Sequence, residues 1–125
     1  MGRLCYTQNA TAVTGACLLV KKSLYEQVGG LDESFVISLN DVDFCLKLRK
    51  LGLLNVWTPF AELYHYESKS RGTEDSKEKV RRFQEEIEFM RCRWEKLLKA
   101  GDPYYNPNFS LDRSDYALRD PVSGR

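Results

Sequence analysis

Hydrophobic positions fall in groups along the chain, and each group has its own spacing. Residues 12–20 are small and apolar around Gly15 and predict a buried strand. A glycine inside such a run marks a bend or a close approach to the backbone. Lys21-Lys22 ends the run. Ser23 is placed to cap a short helix with Leu24 and Val28 inward, and Gly29-Gly30 stops it. Residues 31–39 read as a loop with an apolar middle, Phe35-Val36-Ile37.

Helical spacing returns over residues 40–52. Asn40 predicts the N-cap, and Asp43 predicts a capping-box acid reaching back to it. Val42, Cys45, Leu46 and Leu48 supply the buried side. Lys47, Arg49 and Lys50 suit the outside and the C-terminal end of the dipole, and Gly52 suits the residue just past the helix. Residues 53–57 predict a strand, stopped by Thr58-Pro59. Residues 61–66 predict a second short strand or extended segment, and residues 67–75 an exposed polar loop. Val80, Phe83, Ile87, Met90, Trp94 and Leu97 step by three and four, which predicts one long amphipathic helix over residues 76–99. Gly101-Asp102-Pro103 stops it. Beyond, Tyr104, Tyr105 and Phe109 are expected to hold the chain over the surface. The domain is expected to run over residues 1–118, with a flexible tail at 119–125. The order strand, helix, helix, strand, strand, long helix belongs to an α/β architecture with few strands.

Composition narrows the picture. With 42% hydrophobic and 30% charged residues, the 125-residue chain can build a core. A formal net charge of +1 gives no argument for a nucleic-acid partner. The longest apolar run is far short of a membrane span. The cysteines, Cys5, Cys17, Cys45 and Cys92, form no C-x-x-C pair and read as reduced, buried thiols of a cytosolic protein.

Asp41 and Asp43 point about 200° apart at helical spacing, so they are not a carboxylate dyad. Both could simply complement the helix dipole. Alternatively, Asp41 faces a cleft as a general base for a hydroxyl nucleophile while Asp43 caps the helix. His65 stands among Tyr64, Tyr66 and Glu67, and one histidine is not a metal signature. Lys69 and Arg71, in the polar loop, could bind a phosphate group or simply be solvated.

Several motifs then occur in one order: Thr14-Gly15-Ala16-Cys17-Leu18-Leu19-Val20, Val28-Gly29-Gly30-Leu31-Asp32-Glu33, Asn40-Asp41-Val42-Asp43-Phe44-Cys45, Thr58-Pro59, and Glu62-Leu63-Tyr64-His65-Tyr66-Glu67-Ser68. Together they resemble the C-terminal half of a family 2 glycosyltransferase of GT-A fold, the bacterial type that builds cell-surface polysaccharide. The resemblance spans residues 12–115. It implies a partial GT-A, nucleotide-diphospho-sugar transferase-like α/β fold with a long C-terminal amphipathic helix. It implies that Asp41 is the catalytic base of an inverting transfer from a nucleotide-sugar donor to a glycan or lipid-linked acceptor. Asn40 stands where many members carry Glu and, with Gly15, Lys69 and Arg71, is placed among the substrate-binding residues. His65 matches a histidine that helps hold a divalent metal, manganese or magnesium. The implied location is cytoplasmic, at the inner face of the membrane.

The family's Asp-x-Asp metal motif belongs to a nucleotide-binding half that should precede these motifs. Here that spelling occurs only at Asp41-Val42-Asp43, on a helix start. The chain alone is therefore expected to be an inactive fragment that binds no metal and forms a homodimer. The rival reading is a non-enzymatic interaction module working through the apolar face of the long helix. A weaker rival is a metal site of Asp41 or Asp43 with His65.

Overall fold

In the computed structural model, residues 5–66, 76–112, 115 and 117–119 are described. At the centre is helix α2 (Asn40–Lys50), which buries Asp43, Phe44, Cys45, Leu46 and Leu48. Its C-terminus closes as the pattern predicts. Leu53 N–H donates to Leu48 O and Gly52 N–H to Arg49 O, the paired bonds of a Schellman motif, with Gly52 at φ 80°.

Around α2 are strand β1 (Gln8–Ala10), helix α1 (Lys22–Gln27), strand β2 (Asn55–Trp57), and helices α3 (Lys77–Arg93) and α4 (Glu95–Ala100). The two strands pair antiparallel, Gln8 with Trp57 and Ala10 with Asn55. The described residues therefore form a small α/β unit with a two-stranded sheet. No helix among them is long and apolar enough to cross a membrane. The core is Phe35, Leu46, Met90 and Trp94, with Leu39, Val42 and Leu97 packed against it. Arg49 of α2 lies over the Tyr104 ring, while Tyr105 and Phe109 meet each other edge to face within the segment after α4.

Several expectations are corrected. Residues 12–20 form no buried strand. Gly15–Cys17 is a single 3-10 turn capped by the Thr14 hydroxyl, and Leu19 is 98% exposed. The strand that pairs with β2 lies earlier, at residues 8–10. Residues 61–66 are not a strand either and are exposed throughout. Ser23 lies inside α1, whose N-cap is Lys21. The long helix is two helices, broken at Trp94 (φ −112°, ψ 20°), the residue whose indole is buried. Its stripe is covered only in part: Met90 and Trp94 are buried, but Val80 is 48% exposed. Only Cys45 of the cysteines is buried; Cys5, Cys17 and Cys92 are exposed.

Gly30 shows why the Gly-Gly pair follows α1. It sits at φ 67°, and a Cβ there would lie 2.9 Å from the Tyr25 ring. A side chain is excluded by both backbone and space. The tight turn brings Gly30 O within 3.2 Å of Lys47 Nζ.

Candidate functional site

The first turn of α2 carries Asn40 and Asp41, and three sets of contacts fix it. The first comes from residues 11–15, which run antiparallel along α2. Val13 N–H donates to Cys45 Sγ at 3.5 Å, and Gly15 N–H donates to Asp41 Oδ2 at 2.9 Å. The spacings match, because four residues of helix rise about 6 Å and two extended residues span about 6.6 Å. Asn55, buried behind, donates from Nδ2 to Thr11 O and to Cys45 O. Gly15 leaves room here, since a Cβ would lie 3.2 Å from Asp41 Cβ and press on it. Burial pushes the Cys45 thiol pKa up, and the nearby Asp41 charge adds to that rise.

The second set is made by a residue the pattern did not single out. Glu86 of α3 is 5% exposed. Its Oε1 accepts from Val36 N–H at 2.7 Å and Ile37 N–H at 2.8 Å, and its Oε2 from Ser38 N–H at 2.9 Å. Three successive amides thus converge on one carboxylate. The next residue, Leu39, is at φ 66°, the only non-glycine with positive φ among the described residues. That conformation costs a leucine about 1–3 kcal/mol. A backbone bond to a charged acceptor contributes about 1.5–3 kcal/mol, so three of them outweigh the strain. Leu39 is the N-cap, and its carbonyl accepts the first helical bond from Asp43 N–H at 2.9 Å.

The third set surrounds Asp43, which is 0% exposed. Oδ1 accepts from Trp94 Nε1 at 2.8 Å and Arg93 Nη1 at 3.0 Å. Oδ2 accepts no well-directed hydrogen bond, but Lys47 Nζ lies 3.2 Å away. Arg93 also pairs with Asp32 at 2.6 Å and lies over the Phe89 ring. The Ser34 N–H and the Arg93 guanidinium hold the Asp32 carboxyl well below the usual carboxylate range.

These contacts correct two expectations. Asp43 is not a capping acid, because its side chain points away from the N-terminus into the core. Asn40 is not the N-cap; it is the first helical residue, and its Oδ1 accepts from Asp41 N–H at 2.8 Å. Lys47 likewise turns inward, with its side chain 20% exposed. The structure does bring Gly15, Asn40 and Asp41 together. His65 lies in the exposed segment after β2. Lys69 and Arg71 lie outside the described residues.

Asp41 is half-buried and keeps capacity to act. Oδ1 accepts from Val42 N–H and Oδ2 from Gly15 N–H. Each oxygen retains a lone pair, so the carboxylate can still accept a proton. The residues do not by themselves form a centre for the implied metal. No three His, Cys, Asp or Glu side chains converge among the described residues, and Asp43 is committed to Trp94, Arg93 and Lys47. A signal for Glu86 was present in the sequence. It lies three residues after Phe83 and four before Met90, an acid on the inward face of the stripe.

Proteins similar to this chain are named for glycosyl transfer and surface-polysaccharide synthesis. The chain is 36% identical over 115 residues to the O-antigen biosynthesis protein RfbC of Myxococcus xanthus, covering 91% of this chain and 8% of that protein. It is 43% identical over 60 residues to the N-acetylglucosaminyl-diphospho-decaprenol L-rhamnosyltransferase of Mycobacterium tuberculosis, covering 48% of this chain and 20% of that enzyme. An uncharacterized protein of Sinorhizobium fredii is 51% identical over 120 residues, covering 95% of this chain and 13% of that protein. The chain thus spans at most a fifth of these relatives, and it is related to sugar-transfer sequences over that part. No protein-family model matches it, and no solved structure does.

Proposed function

We propose that the chain forms the acceptor-side, C-terminal part of an inverting family 2 glycosyltransferase of GT-A fold. In the whole protein, Asp41 takes the proton from an acceptor hydroxyl as its oxygen attacks the anomeric carbon of a nucleotide-sugar. The bond from that carbon to the nucleotide diphosphate breaks, and the configuration inverts. The observation that carries this reading is the 2.9 Å bond from Gly15 N–H to Asp41 Oδ2. It holds the carboxylate still at a half-buried helix start with lone pairs to spare. The glycan or lipid-linked acceptor would approach over Gly15, where the absence of a side chain leaves the backbone accessible. A manganese or magnesium ion on the diphosphate would need ligands besides His65, since no group of three metal-binding side chains occurs among the described residues, so what is proposed for Asp41 is proton transfer alone.

The test is Asp41→Asn in a protein that joins these residues to a nucleotide-binding half. Sugar transfer should fall by about 10³-fold while the circular dichroism spectrum is unchanged. Retained transfer would overturn the assignment. The 125 residues alone should transfer no sugar from a nucleotide-sugar in the presence of manganese, and turnover by the purified chain would contradict the reading as a part.

A second reading has one observation in its favour. On the apolar stripe of the long helix, Val80 is 48% and Phe83 36% exposed, which suits a face covered by another polypeptide. On that reading the isolated chain forms homodimers, and light scattering at high concentration decides it.

A further inference from the structure

We propose that Glu86 is a positioning residue for Asp41, acting through residues 36–39; the catalytic meaning of this rests on the reading of Asp41 as the base. Glu86 does not touch Asp41. It receives the N–H groups of Val36, Ile37 and Ser38, all three at 2.7–2.9 Å. This holds the chain just before Leu39 in one arrangement. Leu39 then adopts its left-handed conformation and offers its carbonyl to Asp43 N–H, which starts α2. Where α2 starts decides the direction of the residues on its first turn, and Asp41 is one of them.

The other side of the turn is fixed independently by Gly15. A carboxylate held from two sides can move little, and a displacement of about 1 Å at a reacting group costs about 10²-fold in rate. The chemistry of the clamp is specific. Oε1 serves two amides and Oε2 serves the third, so the residue must offer two acceptor atoms. Glutamine offers one. Glu86→Gln could still accept from Val36 and Ile37 but would set its own N–H against Ser38 N–H. Ser38 is the residue that precedes Leu39, so this variant loosens the clamp at its working end while keeping the side-chain volume.

The test uses amide hydrogen exchange in this chain. In Glu86→Gln, exchange at Gly15 and Asp43 should accelerate at least tenfold, while Leu48, in the middle of α2, stays within twofold. Unchanged exchange at Gly15 overturns the proposal. So does equal acceleration at all three, which would mean loss of the fold rather than of position. A second variant, Glu86→Asp, keeps two acceptor oxygens on a shorter arm and should recover part of the protection at Asp43; if it recovers none while Leu48 stays protected, the clamp does not act through its acceptors. In a transferase containing these residues, Glu86→Gln should lower kcat at least tenfold and leave KM for the nucleotide-sugar within twofold. These arms separate the two readings. If Asp41→Asn retains activity, the base assignment fails while the exchange result still decides whether Glu86 sets the start of α2.

Discussion

The Trp94 indole N–H donates to Asp43 Oδ1 at 2.8 Å across 51 residues of sequence, in a fully buried contact. Because Asp41 and Asp43 face away from each other on α2, the same turn presents one acid to the core and the other to Gly15. Asp43 ties α2 to the α3–α4 break. Asp41 is held by the backbone amides of Gly15 and Val42.

The charge on Asp43 is matched by Arg93 and Lys47. Replacing it with Ala leaves the indole N–H without its acceptor and takes one partner from each cation, although Arg93 keeps Asp32 and Lys47 keeps Gly30 O. Breaking a buried ion pair costs about 3–5 kcal/mol, and the low end is expected because Arg93 keeps Asp32. Urea denaturation should show Asp43→Ala less stable by about 3 kcal/mol. Asp43→Asn, which still accepts from Trp94, should lose less.

Gly15→Ala should separate stability from activity. Gly15 is exposed and its φ is not in the left-handed region, so an alanine fits the backbone. Stability should stay within about 1 kcal/mol, since Gly→Ala at a compatible site also reduces the freedom of the unfolded chain. The new Cβ would press on Asp41 Cβ at 3.2 Å. Transfer by a protein containing these residues should fall by about 10-fold or more, measured as kcat.

The low pKa of Asp32 predicts the acid limb of stability. A carboxyl whose folded pKa is depressed stabilises the fold above its unfolded pKa, near 3.9, and loses that contribution as pH falls toward the folded value. The urea midpoint should therefore change little with pH above about 5 from this group and fall below about 4. Asp32→Asn removes its share, so the acid slope of the variant should be shallower than that of the parent.

Cys45 sets the opposite limb. Its raised pKa keeps the thiol protonated in the folded state, a stabilisation present below the unfolded thiol pKa and lost as pH rises through the folded value. Ellman's reagent at neutral pH should modify the exposed Cys17 and Cys92 quickly. Cys45 should react only on unfolding, with the rate set by the opening of the fold.

The sequence pattern made parts of this arrangement legible and hid others. Helix α2 and its Gly52 stop were readable because helical spacing and a C-terminal glycine are local signals. The stop at Gly101 and the inward turn of Met90 and Trp94 were readable for the same reason. Residues 12–20 misled because an apolar run reports burial without naming a partner, and the strand that pairs with β2 lies earlier, at residues 8–10. Asp43 misled because capping is a local explanation for an acid in a first turn, whereas the side chains that hydrogen-bond to it are 50 and 51 residues away. Gly15 and Asp41 could be named from ordered motifs, but their hydrogen bond is a long-range fact. Glu86 was hidden in a stripe read for its apolar members.

The clamp on Val36, Ile37 and Ser38 also defines what can be exchanged between related proteins. The acid that fixes the first turn of α2 lies in α3, and the indole and guanidinium that hold Asp43 lie at the α3–α4 junction. A graft of residues 8–57 alone would carry Asp41 and Gly15 but leave their supports behind. The smallest transplantable cassette runs from β1 through α4, and recombination breakpoints placed between β2 and α3 should yield chimaeras that fold poorly unless the incoming helix supplies its own glutamate at the matching turn.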